Sequence, residues 1–248
     1  MLLRDGDAED TWLNEGLSGF AEELGARQVP NTRCVDNDCL TQFGIGDFIN
    51  AYDFLSSLEE NYLIGPATPP LPLSEYGATW LFVRWMGDHF STTQPLATDF
   101  TRKLVQTNRT GADNVENATG EDFPTLITQW HLTNYTESLA QFTPASDRIS
   151  YTSWAFRENW AVFNQNDPGN FPRPYPLDPD VTSGNYETAG SLLAGSGKHD
   201  PVERSSISSN PFRCDSSPST TGFDRSRSAT RLKTVRRSDS CGSGSGAR

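Results

Sequence analysis

WLNEGL, residues 12–17, sets one carboxylate, Glu15, between Asn14 and Gly16 and behind a Trp-Leu pair. A second carboxylate, Glu22, follows seven positions later. At 3.6 residues per turn the two share one helix face, two turns apart, with Ser18 and Gly19 between them. Small residues at that place let another helix or a metal centre approach closely. A carboxylate on an otherwise apolar helix is costly to bury unless it is paired or metal-bound. Zinc accepts a carboxylate oxygen readily beside two imidazoles. Spacing and periodicity alone favour a plainer reading, two solvated acids on a helix whose other face is core.

Other candidate ligands are sparse. The three histidines, His89, His131 and His199, form no H-E-x-x-H pattern. His89 and His131 fall in helical stretches 42 residues apart and read as packed or surface histidines. Cys34 and Cys39, in TRCVDNDCL, have four residues between them. That spacer permits a small disulfide loop of the kind found in oxidising compartments; two separate thiols are the alternative. Zinc binding by these two would need a second Cys or His pair nearby. Asp36 and Asp38 lack the further ligands and the glycine of a calcium loop.

Helices must position these groups. Over residues 9–26, Trp12, Leu13, Leu17, Phe20, Ala21 and Leu24 form one broad apolar side, with Asp10 or Thr11 as cap and Gly25 at the end. Residues 27–43 read as the loop carrying the two cysteines. Phe48, Ile49, Tyr52, Leu55 and Leu58 are in register for a helix over 46–62. Four prolines make 65–73 irregular. Residues 74–90, with Ser74 as cap, are apolar nearly all round and predict a buried helix. Helices follow at 96–107 and 121–141, with a turn or short helix between them. Residues 150–164 suit helix or strand, 166–180 a Pro-rich extended connection, and 185–197 the first strand or hairpin of a further module.

The 248 residues carry a net charge of −12, divided unevenly. Residues 1–196 hold 10 Lys+Arg against 27 Asp+Glu, whereas residues 197–248 hold 10 against 5. An acidic body argues against nucleic acid as its partner, because phosphate binding needs clustered Lys and Arg. No apolar run is long enough to span a membrane, and no signal peptide precedes residue 10. All six Trp and all seven Tyr lie before residue 197, and the remainder is rich in Ser, Arg and Gly. The division is therefore a helical body over 1–144, a mixed or β segment with a Pro-rich connection over 145–196, and a disordered basic tail over 197–248. Two origins suit that tail: a basic arm that binds nucleic acid, or a reading-frame shift near residue 197. The abrupt end of a strand pattern there favours the frame shift.

W-L-N-E-G-L-x-x-x-x-A-E resembles the downstream half of the gluzincin class of zinc metallopeptidases, and within it the hyicolysin-like bacterial secreted enzymes. DTWLNEGLSGFAEEL (10–24), YGATWLFVRWMGDHF (76–90), GADNVENATGEDFPTLITQWHLTNY (111–135) and FPRPYPL (171–177) look like that family in the same order. In the family an H-E-x-x-H helix gives two His ligands and the general base, and a later helix gives the third ligand. The resemblance implies a mainly α fold, the helical C-terminal subdomain of a gluzincin-like peptidase, followed by a short β segment and the tail. It makes Glu15 the third zinc ligand. Glu22 and Asn14 would steady that ligand or serve packing. The implied full-length activity is hydrolysis of protein or peptide substrates by a metal-activated water, outside the cell.

This chain lacks both His ligands and the general base. The resemblance thus implies a fragment, inactive and without zinc on its own, whose missing part lies upstream of Met1. A non-catalytic helical binding or scaffold module built on a peptidase framework is the alternative, with the Pro-rich segments 66–72 and 168–179 as docking elements. If a metal-bearing helix normally covers the first helix, Trp12, Leu13 or Phe20 should be partly uncovered here and the protein marginally stable.

Overall fold

The structure, a computed structural model, describes residues 8–28, 38–65, 72–179, 182–183 and 191–203. It is mainly helical. The α-helices are α1 (Thr11–Gln28), α2 (Asp38–Ser56), α3 (Leu73–Phe90), α4 (Thr98–Val105), α5 (Gly111–Thr119), α6 (Phe123–Thr136) and α7 (Phe156–Asn166). One short parallel pairing joins Thr182–Ser183 to Val202–Glu203.

Helix α3 is the axle of the fold. Its sequence is apolar on nearly every side, and every residue from Gly77 to Asp88 is buried. Helices α1 and α2 pack on it and on each other. The α2–α3 crossing is tight: a Cβ at Gly77 would overlap the backbone of Asn50 and Ala51. Phe48 of α2 then joins the helical body to the later chain, with its ring in contact with Trp80, Trp154, Phe156, Trp160 and Phe163. Edge-to-face geometry dominates these contacts, as the quadrupoles of aromatic rings favour. The indole N–H groups of Trp80, Trp85, Trp130, Trp154 and Trp160 find acceptors, Trp160 on the Phe48 carbonyl and Trp130 on the Tyr151 hydroxyl.

Several expectations shift in register or character. Gly25 does not end α1, which runs on to Gln28; Gly25 is exposed there and meets no constraint. The cysteine loop is shorter than its polar composition suggests, because α2 starts at Asp38 and includes Cys39. The Cys34–Cys39 bridge falls on side chains outside the described residues. Ser74 is not a cap: Pro72 holds that position, and the Ser74 hydroxyl donates to Asn61 instead. The short segment at 111–119 is helical, and the ambiguous 150–164 segment resolves as α7, whose Phe156 and Trp160 seat in the aromatic core. Residues 191–197 run without strand pairing.

Trp12, Leu13 and Phe20 are at most 3 % exposed. The expected bare patch does not exist, because α2 and α3 already cover the apolar side of α1. The argument for marginal stability goes with it. The Pro-rich connection is not free either. Tyr52 Oη donates to the Arg173 carbonyl at 3.0 Å and accepts from the Arg173 amide at 2.7 Å. Phe171 and Tyr175 are buried beneath it. A segment so engaged with its own body is poorly placed to serve as a docking peptide; residues 66–71 lie outside the described residues. Packing also continues past the compositional boundary at 197, since Gly197 is buried and His199 stacks on Tyr135.

Candidate metal-ligand face

The two sides of α1 do different chemistry. Trp12, Leu13, Gly16, Phe20 and Glu23 point inward, while Asn14, Ser18, Ala21, Glu22 and Gly25 are exposed and Glu15 is half-buried at the edge between them. Gly16 sets this rotation. A Cβ there would stand 2.7 Å from the Thr79 carbonyl oxygen and 2.9 Å from Val83 Cγ2, so only glycine lets α1 lie this close to α3. With its neighbour pressed inward, Glu15 projects outward, two turns from Glu22 on the same side. Glu15 makes no hydrogen bond or ion pair among the described residues, and neither does Glu22. Asn14 takes part through its carbonyl, which accepts from Ser18 Oγ at 3.0 Å.

The acid that α1 buries is not Glu22 but its neighbour, Glu23. Glu23 is 1 % exposed and accepts from Arg27 Nε at 2.7 Å, Trp154 Nε1 at 2.9 Å, Trp80 Nε1 at 3.2 Å and Arg84 Nη1 at 3.3 Å. Arg84 reaches on to Asp88 Oδ1 at 2.8 Å and the Pro95 carbonyl at 2.9 Å, with its guanidinium over the Phe20 ring. The other Asp88 oxygen accepts from the backbone amides of Thr152 and Ser153. Two cations thus face two carboxylates inside the core, the condition for burying any of the four. The network ties α1, α3 and the segment before α7 into one unit, which fixes the platform from which Glu15 projects.

Asp47 of α2 is a third acid near this helix that sequence spacing does not reveal. It sits against Gly19, whose missing Cβ leaves it room. Its Oδ2 is buried without a hydrogen-bond partner. Burial, reinforced by the charges of Glu22 and Glu23, pushes its carboxyl up to about 7.

The imidazoles lie elsewhere and are engaged. His89 Nε2 donates to the Ser150 carbonyl at 2.9 Å, and His131 Nε2 to the Gly195 carbonyl at 3.0 Å. Among the described residues no three His, Cys, Asp or Glu side chains gather where a metal ion would be held. Among the described residues zinc therefore does not fit the donors: Glu15 is one carboxylate with no described imidazole beside it, short of the three protein ligands that a catalytic zinc needs. Surface concavities among the described residues include one between the end of α6 and residues 149–155 and another between residues 55–60, 173–179 and 197–200. Neither is lined by Glu15. No helix among the described residues is long and apolar enough to cross a membrane. Compared with known proteins, the chain matches no family model, no curated protein and no solved structure.

Proposed function

We propose that this helical body is the C-terminal part of a secreted zinc-dependent endopeptidase, in which Glu15 is one of three protein ligands. The single observation that supports this is the state of Glu15. It is a carboxylate without a partner among the described residues, held outward at the edge of a rigid helix by the Gly16–Thr79 contact. Beside it runs an uncovered strip of Asn14, Ser18, Ala21 and Glu22 on which a further helix has room to lie. The reading takes the two imidazoles and the general base from a segment outside these 248 residues, so the chain alone neither hydrolyses peptides nor retains zinc. Its substrates in the complete enzyme are proteins or peptides.

The test is the genomic sequence upstream of the Met1 codon. An in-frame H-E-x-x-H supports the proposal. An in-frame stop directly before that codon, with no H-E-x-x-H product encoded alongside, defeats it.

A further inference from the structure

Residues 194–200, which run from the end of the 185–197 stretch expected to be a first strand or hairpin into the expected tail, form a strap across the end of the helical body. The Ala194 carbonyl accepts from the amides of both Leu63 and Ile64, at 3.1 and 3.0 Å. Ser196 Oγ donates to the Leu58 carbonyl at 2.6 Å, and Lys198 Nζ lies 3.4 Å from Glu59. Two glycines let the strap lie flush. Gly195 adopts φ +72°, and a Cβ on it would meet Leu63 at 2.6 Å; one on Gly197 would meet His131 at 2.7 Å.

Two imidazoles are clamped beneath. His131 of α6 packs against Trp130 and donates through Nε2 to the Gly195 carbonyl, which leaves Nδ1 as an acceptor, buried and without a hydrogen-bond partner among the described residues. His199, on the strap itself, stacks on Tyr135 with ring centroids 5.1 Å apart, and its Nε2 is also buried without a hydrogen-bond partner among the described residues. The two rings are 6.3 Å apart. Two neighbouring buried rings with unfilled ring positions tolerate no charge well: a proton on either strands an N–H in the interior and sets a cation against the other ring.

The geometry points to an acid-released latch: the strap is docked while His131 and His199 are both neutral, and lifts off when they take up protons. Lifting it removes the 197–200 wall of the concavity whose other walls are residues 55–60 and 173–179, so acidification opens that groove.

The charged surroundings support this direction. Burial lowers both imidazoles from an ordinary value of 6.5 to about 4. His131 faces the Gly195 and Ser196 backbone, which favours its protonation, and His199, which opposes it. Asp200 favours protonation of His199, and Lys198 lies between Glu59 and Asp200. Burial outweighs them. The docked strap therefore binds fewer protons than the lifted one between about pH 4 and 6.5; docking is complete above that window and weakens as pH falls through it.

Amide hydrogen exchange on the intact chain tests the latch through Leu63 and Ile64, whose amides report the contact with Ala194, with rates corrected for intrinsic exchange at each pH. Each imidazole contributes about tenfold per pH unit, so the opening constant should rise roughly 100-fold per unit inside the window. In His199→Phe, which keeps a ring on Tyr135, the rise should fall to roughly tenfold per unit. The α3 amides should stay protected throughout. A wild-type opening constant that does not change with pH overturns the latch, as does the same slope in His199→Phe or loss of α3 protection in step with Leu63 and Ile64.

Discussion

Arg84→Leu is the substitution that most sharply separates the framework from the candidate ligand face. Arg84 is fully buried and bridges Glu23 and Asp88, themselves buried. Leucine fills much of the space but removes the cation shared by two carboxylates and the donor to the Pro95 carbonyl. Glu23 would keep Arg27 and two indole donors, and Asp88 would keep two backbone amides. Breaking a buried pair from one side costs about 3 to 5 kcal/mol. The remaining donors argue for the lower half of that range. With a urea dependence of about 2 kcal/mol per molar, the unfolding midpoint should fall by roughly 1.5 to 2 M at pH 7. A midpoint shift below about 0.5 M would refute the argument that this cation makes the core carboxylates tolerable.

Asp47→Asn should stabilise the protein at pH 8 by about 2 to 4 kcal/mol and leave it unchanged near pH 4. The folded-state value of about 7 lies above the ordinary carboxyl value. The wild type therefore loses stability as pH rises from about 4 through 7, and urea melts of both proteins across that range check it. Glu22→Gln and Glu23→Gln, adjacent on one helix, should differ greatly. The exposed residue should change stability by less than about 0.5 kcal/mol, the buried one by about 3 kcal/mol or more; thermal melts in which the two variants behave alike would contradict the inward and outward faces of α1.

The helical body was largely legible from sequence because period and burial agree. The stripe of Trp12, Leu13 and Phe20, the all-round apolar character of α3 and the register of Phe48, Tyr52 and Leu55 each point to one packing. Boundaries were less so. Gly25 is a common helix terminator, yet tertiary contacts of Ala26 and Arg27 with the body carry α1 past it. The candidacy of Glu15 rests on residue type and the resemblance; its place at the edge of the exposed side of α1 follows from the helix period. The choice between Glu22 and Glu23 was not legible, because adjacent acids differ by 100° around a helix and only the contact with α3 says which points inward. One signal was available: Arg84, inside an otherwise apolar helix, demands a buried acid from elsewhere. The pairing of Asp47 with Gly19 had no such signal, since it depends on the crossing of α1 and α2. Residues 185–197 read as a first strand or hairpin, but the glycines at 195 and 197 serve close docking onto Leu63 and His131.

Metal content decides the matter of Glu15. On the proposed function, the product of a reading frame extended upstream to include an H-E-x-x-H, purified and dialysed against a mild chelator, should retain one zinc per chain. Its Glu15→Gln variant should lose most of that metal while Glu22→Gln keeps it. Undiminished zinc in Glu15→Gln, or tight stoichiometric zinc in the 248-residue chain by itself, would contradict the assignment.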